Sequence, residues 1–120
     1  MKIYESAQDY LETILILSNT SSNVRSIDIA NYMKLTKQSV HRAIKNFTNN
    51  GLIEIDENGY IKLSKKGKEI AENIYEKHIT ITQFLISLGV SEEIALEDAC
   101  KIEHDISDET FIAIKKQLNK

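Results

Sequence analysis

The sequence predicts a mainly α-helical chain, and three observations carry that prediction. Proline is absent and only four glycines occur in 120 residues, so little interrupts a helix. Apolar residues recur at spacings of three and four along most of the chain. The one stretch that reads as β structure, "LIEIDENGYIKLS", is short and folds about a turn. The length suits one domain or two small units sharing a core. A hydrophobic content of 42% and a charged content of 28% are ordinary for a soluble globular protein.

Taken in order, "YESAQDYLETILILS" at 4–18 places Tyr10, Ile14 and Leu17 near helical spacing, with Leu11 and Leu15 widening the stripe. The polar run "NTSSN" ends this first helix. Ser26 is a fitting N-cap for a short helix over 27–33. "KLT" is a tight connection, and Thr36 caps a helix over 37–49. There Val40, Ala43, Ile44 and Phe47 make one apolar stripe, until "NNG" stops it. In the hairpin, Leu52, Ile53 and Ile55 precede the turn "DENG", and Tyr60, Ile61 and Leu63 follow. Ser64 caps a long helix over 65–87, on which Ile70, Ile74, Ile81 and Leu85 form a stripe that includes His78. After "LGVS", Ser91 starts a helix over 92–104, and Ser107 caps a last one through Phe111, Ile114 and Leu118.

Helix, short helix, tight turn, helix and two-stranded ribbon is the order of a winged helix-turn-helix. It predicts a DNA-binding domain over 1–64 and a second, helical domain over 65–120. The net charge of −3 hides a division that agrees: residues 24–50 carry +4 and residues 69–120 carry −6. In such a fold the helix over 37–49 enters the major groove of double-stranded DNA. Gln38 suits adenine and Arg42 suits guanine, each bidentately. Thr36, Lys37, Ser39, His41 and Lys45 are short or basic groups able to reach phosphates or bases, and Arg25 and Lys62 flank them as phosphate neutralisers. Solvated faces of a plain helical protein would explain the basic residues singly, but not their order together with a wing.

The acidic half carries another pattern. Cys100, Glu103 and His104 are spaced i, i+3, i+4 and share a helix face; Asp9 and Glu12 are i, i+3; His78 lies on the long helix. Thiolate, imidazole and carboxylate together suit a divalent first-row transition metal better than magnesium or calcium. Each residue also has a plainer reading. Free cysteine buries readily, a histidine on an apolar stripe is commonly a core residue, and acids in a first turn answer the helix dipole. Nothing in the sequence alone brings three helices together.

The segments "ESAQDYLETIL", "VRSIDIANYM", "LTKQSVHRAIKNF", "NGLIEI", "LSKKGKEIAENIYEKHITITQFL" and "DACKIEHDIS" follow in order. From about residue 4 to the end the chain resembles the diphtheria toxin repressor and manganese transport regulator family, in the compact form without an SH3-like domain. The resemblance implies a homodimeric, metal-activated transcription repressor. It also implies metal ligands at Asp9, Glu12, His78, Cys100, Glu103 and His104, one or two ions per subunit, with Mn(II) or Fe(II) as the divalent cofactor. The pattern is mixed. Asp9 matches the manganese-responsive branch, which has a glutamate where Cys100 stands; Cys100 matches the iron-responsive branch, which has a methionine where Asp9 stands. Two ancillary ligand positions of the iron branch fall at Thr82 and near Leu96, neither a metal ligand there.

Ile94, Leu96, Ile102, Ile106, Phe111 and Ile114 offer more apolar surface than a small core needs, which points to pairing between two copies. The main rival is a metal-independent winged-helix regulator sensing oxidants through Cys100, although Asp98 and Glu103 disfavour a thiolate there. Another class is a zinc hydrolase using His78, His104 and Glu103, but no zinc-protease helix motif, nucleophile motif or phosphate loop supports it, so no enzyme is expected. No apolar run approaches the ~18 residues that span a bilayer. The start, "MKIYESAQDY", has no apolar signal core, and one cysteine cannot form an internal disulfide, so a cytoplasmic protein is expected.

Overall fold

The structure, a computed structural model, describes the backbone of residues 5–120 and side chains from residue 7 onward. It bears out the mainly helical class, with six helices and one two-stranded ribbon among the described residues. The expected first-helix start at residue 4 lies outside them. Two compact units divide after Glu72. The first holds α1 (Glu5–Thr20), α2 (Ser26–Met33), α3 (Lys37–Asn49), β1 (Ile53–Ile55), β2 (Ile61–Leu63) and the opening turns of α4 (Lys65–Ser87). The second holds the rest of α4 with α5 (Glu92–Ile102) and α6 (Asp108–Leu118).

Local chemistry sets the boundaries. Helix α1 runs two residues past its expected end, since Ser21 N–H bonds Leu17 O at 3.1 Å and the Thr20 hydroxyl donates to the same carbonyl at 3.0 Å. The α2 cap differs from expectation. Ser26 is already helical, and Arg25 holds the extended cap position at φ −121° and ψ 165°. The reason is Asp28, whose carboxylate accepts from the Arg25 N–H at 2.9 Å, as an acid at the third helical position does in a capping box. The turn into α3 places Lys34 in the left-handed region at φ 56°, with Leu35 N–H bonding Ala30 O at 3.0 Å. Thr36 then caps α3 as expected, accepting from Ser39 N–H at 3.1 Å.

The first unit is built on a continuous apolar core. Leu11 and Ile14 of α1, Ile29 of α2, Val40 and Ile44 of α3, Leu52 just before the ribbon, and Ile53 and Ile61 within it are all buried. Tyr10 meets Phe47 edge-on at 5.5 Å between ring centroids. The ribbon is antiparallel, with Glu54 opposite Lys62 and Ile55 opposite Ile61. Its free edge is tied back by Ile61 N–H to Val24 O at 2.7 Å. Gly67 is required where α4 leaves the ribbon, because a Cβ there would lie 2.0 Å from Leu52 O.

In the second unit Ile74 and Ile81 of α4, Ala95 and Ala99 of α5, and Phe111 of α6 are buried. Lys77 joins α4 to α6, lying over the Phe111 ring at 5.9 Å and 3.6 Å from Asp108, while Lys115 pairs with Glu76. Ser91 and Ser107 cap α5 and α6 as expected. The exposed large apolar residues of this unit include Leu88, Ile94, Leu96 and Ile112. Phe111 is 8% exposed and packs within the unit, so it is not part of that free surface.

Candidate metal centre and nucleic-acid interface

Helix α5 ends at Ile102, two residues before its expected end. Cys100 is therefore helical, whereas Glu103 and His104 lie in the turn that follows. Glu103 keeps helical backbone angles and its N–H bonds Ala99 O at 3.0 Å, so the i, i+3 relation to Cys100 survives. The geometry of this end of α5 is specific. Glu103 is 1% exposed, a carboxylate in a place where carboxylates seldom sit without a strong partner. His78 Nδ1 donates to its Oε2 at 2.8 Å. Cys100 Sγ lies 3.8 Å from the same Nδ1. On the other side His104 Nε2 is 3.5 Å from Oε1, and that oxygen accepts no hydrogen bond among the described residues.

One donor atom each from His78, Cys100 and Glu103 lie within 4.8 Å of one another. A nitrogen, a thiol sulfur and a buried carboxylate oxygen at such separations are a donor set that a divalent first-row transition metal fits with small side-chain movements. Cys100 itself is exposed, contrary to the buried thiol that its spacing alone favours. Its side of the cluster is the one open to exchange with solvent. Of the residues implied by the family resemblance, the second unit thus brings His78, Cys100, Glu103 and His104 together. Asp9 and Glu12 lie on α1 of the first unit, half-buried and one turn apart.

The nucleic-acid face belongs to the first unit. Lys37, Gln38, His41, Arg42 and Lys45 are all exposed along α3. A cleft of about 610 Å³ is lined by Ser26, Ile27, Lys37, Gln38, His41 and Arg42. A neighbouring groove brings His41, Lys45 and Thr48 of α3 beside Ile55 and Gly59 of the ribbon. The Thr36 hydroxyl donates to Ser39 Oγ at 2.9 Å, so both hydroxyls serve the cap before any other partner. Arg25 is engaged as well. Its guanidinium lies over the Tyr60 ring at 4.8 Å from the centroid, and Nη2 donates to the Tyr60 hydroxyl at 3.3 Å. That hydrogen bond, with help from Asp28 and Asp56, pushes the guanidinium further up from its ordinary value. Sequence reasoning missed this partner because 35 residues separate the pair. The Arg-x-x-Asp spacing of the cap was, by contrast, readable.

A helix-turn-helix with a wing, followed by a helical unit holding a buried carboxylate between two imidazoles beside a thiol, has the parts of a DNA-binding regulator and a donor set that a metal ion would fit. The comparisons identify the family. Residues 2–68 match the iron dependent repressor N-terminal DNA binding domain, and residues 64–120 match the iron dependent repressor metal binding and dimerisation domain. The chain belongs to the iron-dependent repressor family, and it is a transcription regulator, not an enzyme. It is 33% identical over 118 residues to an uncharacterized HTH-type transcriptional regulator of Methanocaldococcus jannaschii, covering 97% of this chain and 94% of that one. It is 33% identical over 111 residues to the transcriptional regulator MntR of Escherichia coli, covering 92% of this chain and 72% of that one. The solved structure of the manganese regulator SloR matches with a TM-score of 0.83 at 29% identity, over 99% of this chain and 55% of that chain. The chain thus spans about half the length of that regulator.

These matches do not support the rival reading of a metal-independent redox sensor, since Cys100 falls inside the metal-binding and dimerisation match. Among the described residues no helix is long and apolar enough to cross a membrane.

Proposed function

We propose that this chain is a cytoplasmic, metal-activated repressor that binds a palindromic operator as a homodimer and controls uptake of Mn(II) or Fe(II). The observation that carries the metal half is Glu103, buried with His78 at 2.8 Å and His104 at 3.5 Å. Only a cation or a protonated imidazole answers such a carboxylate fully. Asp9 and Glu12 complete the ligand set in this reading, as one or two ions. The division of labour follows the ribbon's end, residues 1–64 reading DNA and lending Asp9 and Glu12, and residues 65–120 supplying the other ligands and the surface for the partner.

The switch follows from charge. Asp9, Glu12 and Glu103 repel one another if α1 closes on the acidic unit. When bound, the metal supplies the positive charge that offsets this repulsion. Helix α1 leads directly into α2 and α3, so holding α1 fixes the reading heads at the half-site spacing a palindrome needs. Lys37, Gln38, His41, Arg42 and Lys45 then face the major groove, with Thr36 and Ser39 at its edge and Lys62 on the wing. By linkage, operator DNA raises metal affinity by the factor that metal raises DNA affinity. Equal metal affinity with and without operator refutes the coupling.

The metal is chosen in part by Cys100, whose soft sulfur favours Fe(II) or Zn(II) over the harder Mn(II). The test is operator binding under anaerobic conditions with Mn(II), Fe(II), Zn(II) or chelator, for the unmutated chain and for Cys100→Glu. The variant is expected to rank Mn(II) higher. An unchanged ranking shows that the thiol is not the selector, and binding that ignores chelator refutes metal activation.

A further inference from the structure

The wing is a weak element by itself. Its strands are three residues each, and an isolated two-stranded hairpin is marginal in water. Three devices hold it. Asp56 closes the tip, its side chain accepting from Asn58 N–H at 2.9 Å and Tyr60 N–H at 3.0 Å. Ile61 N–H bonds Val24 O at 2.7 Å, which ties β2 to the segment just before α2. The next residue along that segment is Arg25, lying over the Tyr60 ring and bonded to its hydroxyl. Asp28 fixes the Arg25 backbone in turn. The wing and the start of α2 are thereby joined by a backbone hydrogen bond and the Arg25–Tyr60 pair.

We propose that Arg25 is a positioning residue for the wing, acting through Tyr60, and that its contribution to DNA binding is to pre-order Lys62 for the phosphate backbone. This rests on the operator-binding reading above. A guanidinium committed to an aromatic face and a phenol oxygen is held in one rotamer, and an exposed pair of this kind stabilises the ordered wing by a factor of roughly two to five. The wing's ordering cost is then met before DNA arrives, and Lys62 reaches the backbone from a fixed strand.

The experiment uses the full chain, metal-loaded, and a duplex that this chain selects from a random-sequence pool. Affinity is measured across a salt series for Arg25→Gln, Tyr60→Leu, Tyr60→Phe, the Arg25→Gln/Tyr60→Leu pair, and Lys62→Gln, with thermal melts to confirm folding. Lys62→Gln removes a phosphate contact and lowers the slope of log K against log salt by about 0.9. Arg25→Gln and Tyr60→Leu each weaken binding roughly two- to fivefold with the slope unchanged. Their losses do not add, and Tyr60→Phe, which keeps the aromatic face, recovers most of the affinity. A slope reduced by about 0.9 in Arg25→Gln, with the loss persisting beside Tyr60→Leu, makes Arg25 a direct phosphate ligand and overturns the proposal. So does unchanged affinity in both single variants. Failure of the unmutated chain to select or bind any duplex overturns the operator-binding reading first, and this inference with it.

Discussion

Glu103→Gln isolates the charge at the centre of the proposed metal site while keeping the side chain's size. In the native chain one carboxylate oxygen is 2.8 Å from His78 Nδ1 and the other 3.5 Å from His104 Nε2, with the residue 1% exposed. A buried anionic ligand contributes both charge and a fixed direction, and its replacement by a neutral amide is expected to raise the metal dissociation constant about 100-fold, the upper end of what even supporting residues cost. With metal at 100 times the native dissociation constant, binding stabilises the native chain by about 2.7 kcal/mol. The same metal concentration then equals the variant's dissociation constant, and the stabilisation falls to about 0.4 kcal/mol. For a chain of this size 1 kcal/mol moves the melting temperature by about 3–6 °C. The metal-induced rise is therefore about 8–16 °C for the native chain and about 1–2 °C for Glu103→Gln.

The assay is thermal unfolding followed by circular dichroism, with Mn(II) and anaerobic Fe(II), each read against the same protein in chelator. The chelator baseline matters because the variant loses a charged hydrogen bond and also sheds a buried charge, two effects of opposite sign. Only the rise above each baseline reports the metal. A native-sized rise in Glu103→Gln refutes Glu103 as a ligand, whatever the baselines do.

Three further outcomes are expected. Lys37→Ala lowers the salt slope of operator binding by about 0.9, whereas Gln38→Ala costs about 1–3 kcal/mol of discrimination at one base position; the same titrations on matched and mismatched duplexes separate them. Leu96→Asp puts a charge into exposed apolar surface of the second unit, where Leu96 is 41% and Ile94 45% exposed, and sedimentation shows a shift from dimer towards monomer. Gly67→Ala drives a Cβ to 2.0 Å from Leu52 O and destabilises the chain by about 1–3 kcal/mol, read as a lower urea midpoint with an unchanged slope.

What the sequence made legible was local. Period-three-and-four apolar residues located α3 and α4 to the residue, and Thr36, Ser91 and Ser107 were readable caps because a hydroxyl bonding an amide three residues on is a contact within one turn. The α2 cap was misread because two signals competed at one spot. Ser26 has the hydroxyl, but Asp28 has the charge, and a charged acceptor on the Arg25 amide won the start of the helix. The end of α5 was placed late for a related reason. Spacing shows that Glu103 and His104 stay on the Cys100 side, but not that the chain turns there and buries the carboxylate.

Long-range partners are the part that periodicity cannot supply. Arg25 and Tyr60 are each unremarkable in sequence, and a lone basic residue before a helix reads most simply as a phosphate contact. Only the pairing of β2 with Val24 brings them face to face. His78 and Glu103 pose the same problem at a separation of 25 residues. There the resemblance supplied the pairing that spacing withheld, and the geometry adds what a ligand list does not contain. Glu103 sits between the two imidazoles, fully buried, while Cys100 stands at the exposed edge. In the proposed site, a carboxylate so placed would set how tightly a divalent cation is held, and a thiol at the rim would bias which one. The proposed ligand set thus assigns affinity and selectivity to different residues, three positions apart on one turn.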